Sequence, residues 1–187
     1  MFSFREYIQH RRDWSVFYNC TSLISISCNP MKLNSISQNK QAERISRIVN
    51  LPPTYHAPIT AKDRAIHSAP IQALVRDVQQ NVTRPLEILR TYGKMAIMTH
   101  EKTNCLTEVM IEEAEDWLSR QDNYVKRPLA GIPVSLKDTI IVGGFDTSVG
   151  YSCKTGKPYA EDGGMVRLLR DAGRHLRFIS GQYKLFA

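Results

Sequence analysis

The sequence predicts an α/β fold, and three observations carry that expectation. Ile132, Val134 and Leu136 alternate with Pro133, Ser135 and Lys137, the period-two pattern of a strand. Upstream of this strand, apolar residues recur at helical spacing in one segment after another. Downstream, the stretch from Pro128 to Gly173 reads strand, loop, helix, the order that builds a helix-covered sheet.

Taken in order, residues 1–35 have poor periodicity and are expected to form a flexible extension. A helix is predicted from Gln38 to Val49, with Ala42, Ile45, Ile48 and Val49 as its apolar face. Pro52-Pro53 stops it. Thr60 reads as an N-cap, with Asp63 three residues on, for a short helix through His67. Ile71, Leu74, Val75 and Val78 mark a further helix with Pro70 at its first turn. The next helix is predicted to be capped by Thr83, to hold Pro85 in its first turn and to run to His100. Leu86, Leu89, Tyr92 and Ala96 line one of its faces, and Gly93 points to a close helix contact, because mid-helix glycine costs roughly 1 kcal/mol. A short strand over Asn104–Val109 and a helix over Ile111–Arg120 follow. Glu112, Glu113, Glu115 and Asp116 form the polar face of that helix rather than a metal site. The strand ending at Lys137 comes next, with Pro133 near its start, where proline is tolerated. Asp162 is expected to cap a helix from Gly163 to Ala172, with Val166, Leu168 and Leu169 apolar and Gly173 as its terminating residue.

Composition narrows the function classes. A net charge of +7 invites a nucleic-acid reading. The charge is not gathered into one patch, however. Arg11 and Arg12 lie near one end and Arg167, Arg170, Arg174, Arg177 and Lys184 near the other, while Glu108, Glu112, Glu113, Glu115, Asp116 and Asp122 make the middle acidic. No nucleic-acid partner is expected. None of the four cysteines forms a Cys-x-x-Cys pair, and no secretory signal precedes them, so free thiols and a cytoplasmic location are expected. The five histidines show no His-Glu-x-x-His pattern, so neither metal nor cofactor is expected. The longest apolar runs fall well short of a membrane span.

A lysine at the carboxyl end of a buried strand lies where open α/β sheets place chemistry. The segment Gly131-Ile132-Pro133-Val134-Ser135-Leu136-Lys137-Asp138 resembles the Gly-x-Pro-x-x-x-Lys-Asp segment of the amidase signature family. Gly144-Phe145-Asp146-Thr147-Ser148-Val149-Gly150, Tyr92-Gly93-Lys94 and Thr103-Asn104-Cys105-Leu106-Thr107-Glu108-Val109 are similar to that family in the same order. The likeness spans Ile59 to Gly173 and is nearest to fungal acetamidase-like and fatty-acid amide hydrolase-like members. It implies a mixed, mainly parallel sheet, of which this chain holds the first strands behind a helical amino-terminal part. Patterning of this kind begins only after Met31, which makes Met31 a candidate initiator beside Met1.

The resemblance also implies a Ser-cisSer-Lys triad, with Lys137 as its base, and a small amide as substrate. An uncharged lysine takes a proton from the bridging serine, which takes one from the nucleophilic serine. The nucleophile then attacks the amide carbonyl. Lysine starts near pKa ~10.4. Burial can lower that value, which arginine does not allow.

In the family both serines lie in a Gly/Ser-rich segment downstream of the lysine. Only Ser148, Ser152 and Ser180 follow Lys137, and none sits in such a run. From Arg174 onward the sequence departs from the family pattern, with Leu176 and Phe178 expected at most as an edge strand. The expected division is therefore an extension over 1–35, a partial amidase domain over 36–173 and a divergent tail over 174–187, truncated and inactive by itself. The competing expectation is a non-catalytic binding or regulatory fragment that associates with a full-length amidase. Schiff-base chemistry at Lys137 is a third, separable by borohydride trapping.

Overall fold

The structure, a computed structural model, describes the backbone of residues 30–120, 126–173 and 175–180, and the side chains of 35–120 and 126–173. Most of the expected extension, and residues 174 and 181–187 of the expected tail, lie outside the described residues.

The first helix, α1 (Pro30–Val49), begins eight residues before the expected Gln38, inside the segment expected to be flexible. Proline at a first helical position has its φ preset and misses only an N–H that would be unpaired there. The predicted apolar face is not the one that docks. Ala42, Ile45 and Val49 are exposed, and only Ile48 packs on the core. The inward side is basic, formed by Lys40, Arg44 and Arg47, because polar partners wait for them on the body of the protein.

Four helices follow. Helices α2 (Pro53–His56) and α3 (Ala61–Ser68) are short. Thr60 and Asp63 form a reciprocal capping box at the start of α3, as their spacing predicts. Helix α4 (Ile71–Gln79) has Pro70 as its N-cap and buries Leu74 and Val78. Helix α5 (Pro85–Thr103) starts from Arg84, without a side-chain cap. The expected Thr83 cap is not formed, and the Thr83 N–H donates to the Asp77 carbonyl instead. Gly93 of α5 does mark a close contact, because a Cβ there would lie 2.5 Å from the Tyr55 ring. That ring cannot retreat, since Tyr55 is buried and its hydroxyl donates to Glu115 at 2.7 Å.

Asn104 ends α5 in the left-handed region, its N–H donating to the His100 carbonyl. The His100 ring then accepts the Leu106 N–H at 3.0 Å, which sets the start of strand β1 (Leu106–Val109). Burial pushes the His100 imidazole below its ordinary pKa, and the nearby Arg44 adds to the effect. Helix α6 (Ile111–Arg120) buries Ile111 and Ala114 and keeps Glu112, Glu113 and Asp116 exposed, as expected of a solvated face.

Strand β2 (Pro133–Lys137), helix α7 (Gly164–Asp171) and strand β3 (His175–Ser180) form a β-α-β unit. The described strands make one mixed sheet in the order β1-β3-β2. β2 and β3 are parallel, with Lys137 beside Ser180, and β1 and β3 are antiparallel. Parallel pairing therefore does not predominate among the described strands. β3 is also the central strand, not the edge strand expected for residues 176–178, because both β1 and β2 hydrogen-bond to it.

Gly163 rather than Asp162 caps α7, and no side chain bonds the helix start. The Asp162 carboxylate is engaged elsewhere: it accepts the Gly143 N–H at 2.8 Å and pairs with Arg170 at 3.1 Å. Val166 is buried and Leu169 packs beside it, while Leu168 is exposed, since i+2 does not share a helix face with i. Gly173, at φ 82, follows α7 as the predicted terminator. Among the described residues, no helix is long and apolar enough to cross a membrane.

Candidate functional site

Lys137 ends β2 and is exposed. Beneath it, Leu136 packs with Met110, Val142, Phe145 and Val166, which makes the strand end firm. The Lys137 carbonyl accepts the Ile140 N–H at 2.9 Å, so the chain turns directly after the lysine.

The next residue, Asp138, is buried. It faces a cleft of about 210 Å³ lined by Lys40, Arg44, Glu108, Asp138, Asp146 and Ser148 among others. Lys137 is not among the lining residues. A larger groove of about 760 Å³ lies away from β2, beside Arg84, Leu86 and Leu118.

Three carboxylates organise the cleft. Glu108, 2% exposed, meets the Lys40 ammonium at 2.5 Å. Asp146 lies 3.1 Å from the same ammonium and accepts the Gly156 and Lys157 N–H groups, each at 2.8 Å. Asp138 holds Ser148. Burial pushes the Glu108 carboxyl above the ordinary carboxylate range, with Lys40 pulling the other way. Burial also works against the Lys40 charge, but Glu108, Glu43 and Asp146 outweigh it and the pKa rises.

Arg44 and Arg47 extend the attachment of α1. Arg44 donates to the Leu106 carbonyl at 2.9 Å and to Asn104 at 3.0 Å. Arg47 pairs with Glu113 at 2.9 Å and lies 5.1 Å from the Phe145 ring centre. The helix is thus held to β1 and the 138–157 loops mainly by charge.

The sequence reading singled out Lys137, which does not line this cleft, and missed the Lys40–Glu108–Asp146 cluster. A signal existed in β1, where Glu108 interrupts an otherwise apolar strand end beside Val109. Its partner lies on α1, across a stretch of chain that periodicity does not bridge. Among the described residues, no cluster of His, Cys, Asp or Glu is arranged to hold a metal.

A β-α-β unit with a lysine at the carboxyl end of a strand, next to a residue that lines a polar cleft, makes a partial α/β domain. Comparison with known proteins specifies it further. The Amidase family model matches residues 87–177. "Amidase 1" of Gibberella moniliformis is 33% identical over 151 residues, covering 77% of this chain and 28% of that protein. A "Probable amidase" of Saccharomyces cerevisiae is 36% identical over 119 residues, covering 61% of this chain and 22% of its own length. In fold, the chain matches a solved "Fatty acid amide hydrolase" with a TM-score of 0.66 at 21% identity, over 81% of this chain and 31% of that one. Residues 87–177 thus carry part of an amidase signature family domain, and the chain spans about a quarter of the length of the curated relatives it matches.

Proposed function

We propose that this chain is the lysine-bearing part of a serine amidase that hydrolyses carboxamide C–N bonds, with Lys137 as the base. The observation that carries this reading is that the segment 131–138, which resembles the family's lysine motif, contains strand β2 (Pro133–Lys137), which delivers Lys137 at its carboxyl end beside β3. In the proposed reaction, uncharged Lys137 accepts a proton relayed through a bridging serine from the nucleophilic serine. The nucleophile attacks the amide carbonyl, the amine departs with a proton, and water hydrolyses the acyl-enzyme. The names of relatives, "Acetamidase" and "Fatty acid amide hydrolase 1", favour simple carboxamides or fatty-acid amides as the substrate class. We take the amidase part to be residues 36–173, joined structurally to α1 from Pro30 and to β3, and we place it in the cytoplasm.

The 187-residue polypeptide alone is expected to be inactive. A lysine base works uncharged, and burial is what favours that form. Lys137 is exposed, and the sequence contains no Gly-Ser-Ser-Gly run after it. Incubated with acetamide or a primary fatty amide, the purified polypeptide is expected to release no ammonia. Turnover that disappears in Lys137→Ala would overturn this expectation of inactivity.

A second reading, a non-catalytic fragment that associates with a full-length amidase, is favoured by the place of β2. It is an edge strand among the described strands, and an edge offers its N–H and C=O groups to another chain. Co-purification with such an enzyme supports this reading, and monomeric behaviour in its presence opposes it.

A further inference from the structure

Asp138 has no part in the proton relay, yet it is one of the most firmly placed carboxylates in the protein. It is 2% exposed, where its neighbour Lys137 is exposed. Its Oδ1 accepts the Ser148 backbone N–H at 3.1 Å, and its Oδ2 accepts the Ser148 hydroxyl at 2.5 Å. Ser148 Oγ in turn accepts the Gly150 N–H at 3.2 Å. One carboxylate therefore fixes both the backbone and the side chain of a residue ten positions on.

The segment held in this way is under strain. Val149, between Ser148 and Gly150, has φ 53. A β-branched residue adopts that region only where the surroundings over-determine it. The loop is fixed a second time through Asp146, which accepts the Gly156 and Lys157 N–H groups. On the strand side, the Lys137 carbonyl accepts the Ile140 N–H, which closes a turn directly after the lysine.

We propose that Asp138 is a positioning residue for Lys137: by clamping Ser148 it locks the 146–150 loop to the end of β2 and so fixes how the lysine amine is presented. The inference rests on the reading of Lys137 as the base. A clamp that served stability alone would leave the lysine amine as it is, and reactivity separates the two roles.

The test is competitive acetylation of the full chain with trace acetic anhydride, read by mass spectrometry as the ratio of Lys137 to Lys62 labelling. Lys62 is an exposed lysine on α3 and serves as the internal reference. In Asp138→Ala and in Ser148→Ala the ratio is expected to change several-fold while far-UV circular dichroism stays the same. Ser148→Thr, which keeps both donors, is expected to restore the wild-type ratio. An unchanged ratio in variants that keep the helical signal would overturn the proposal, as would Ser148→Thr behaving like Ser148→Ala. Should Asp138→Ala not fold, the two Ser148 variants decide. The base reading fails on a different result, retained hydrolysis without Lys137 in an assembled enzyme, so the two failures are distinguishable.

Discussion

Lys40→Ala is expected to destabilise the protein by about 3–5 kcal/mol, the usual cost of removing one partner from a buried ion pair. The reason lies in what remains. Glu108 and Asp146 share the Lys40 ammonium at 2.5 and 3.1 Å, and both are almost fully buried. Without the cation, Glu108 is a charge in a poorly solvated place, and its already raised pKa rises further. Adding Glu108→Gln to Lys40→Ala is expected to recover part of the loss, since a neutral amide costs less to bury than an unpaired carboxylate. Urea unfolding of the two single variants and the double variant measures the coupling. Hydrogen exchange should show the loss first in α1, the element that Lys40 holds.

Asp63→Ala is expected to cost a similar amount, about 3–5 kcal/mol near neutral pH. Asp63 closes the capping box with Thr60 and accepts the Thr91 hydroxyl at 3.0 Å, and it pairs with Lys94 at 2.9 Å. Burial pushes its pKa upward, but the bonds from the Thr60 backbone, Lys94, the Thr60 hydroxyl and Thr91 win and hold it well below the usual range. The sign of the pH dependence follows. A carboxyl with a depressed folded pKa contributes its full stability above the unfolded value of about 3.9 and loses it as pH falls toward the folded value. The gap between wild type and Asp63→Ala should therefore be widest near neutral pH and narrow below about pH 4. Glu108 works in the opposite direction, because a raised folded pKa gives stability at low pH that is lost as pH rises through it. Melting temperatures of both proteins across the acid range test the sign.

The parts of this fold that could be read from sequence are those set by local rules. The capping box at Thr60 and Asp63 and the glycine after α7 each depend on a few neighbouring residues and came out as expected, and the glycine at 93 signalled a close contact without naming its partner, Tyr55. Errors arose where tertiary partners outrank local pattern. α1 carries an apolar stripe of Ile45 and Val49, yet it turns Lys40, Arg44 and Arg47 inward, because Glu108, Asp146 and the β1 carbonyls are there to receive them. Asp162 looked like a cap and became a tie to Gly143. The 176–178 segment looked like an edge and lies between two strands, which the alternation of a strand does not reveal. Lys137 stood out in the sequence through its motif, whereas the clamp of Asp138 on Ser148 depends on a loop conformation that no spacing rule specifies.

The proposed role of this segment, to supply an amidase with its lysine base, can be measured in a chimera. Residues 36–173 replace the matching segment of a fungal amidase relative, and ammonia release from its amide substrate is measured with and without Lys137→Met. The chimera is expected to hydrolyse the amide, and Lys137→Met is expected to lower kcat by about 10²–10⁴-fold, the range for losing a general base. A Lys137→Met chimera as active as its parent would show that Lys137 is not the base.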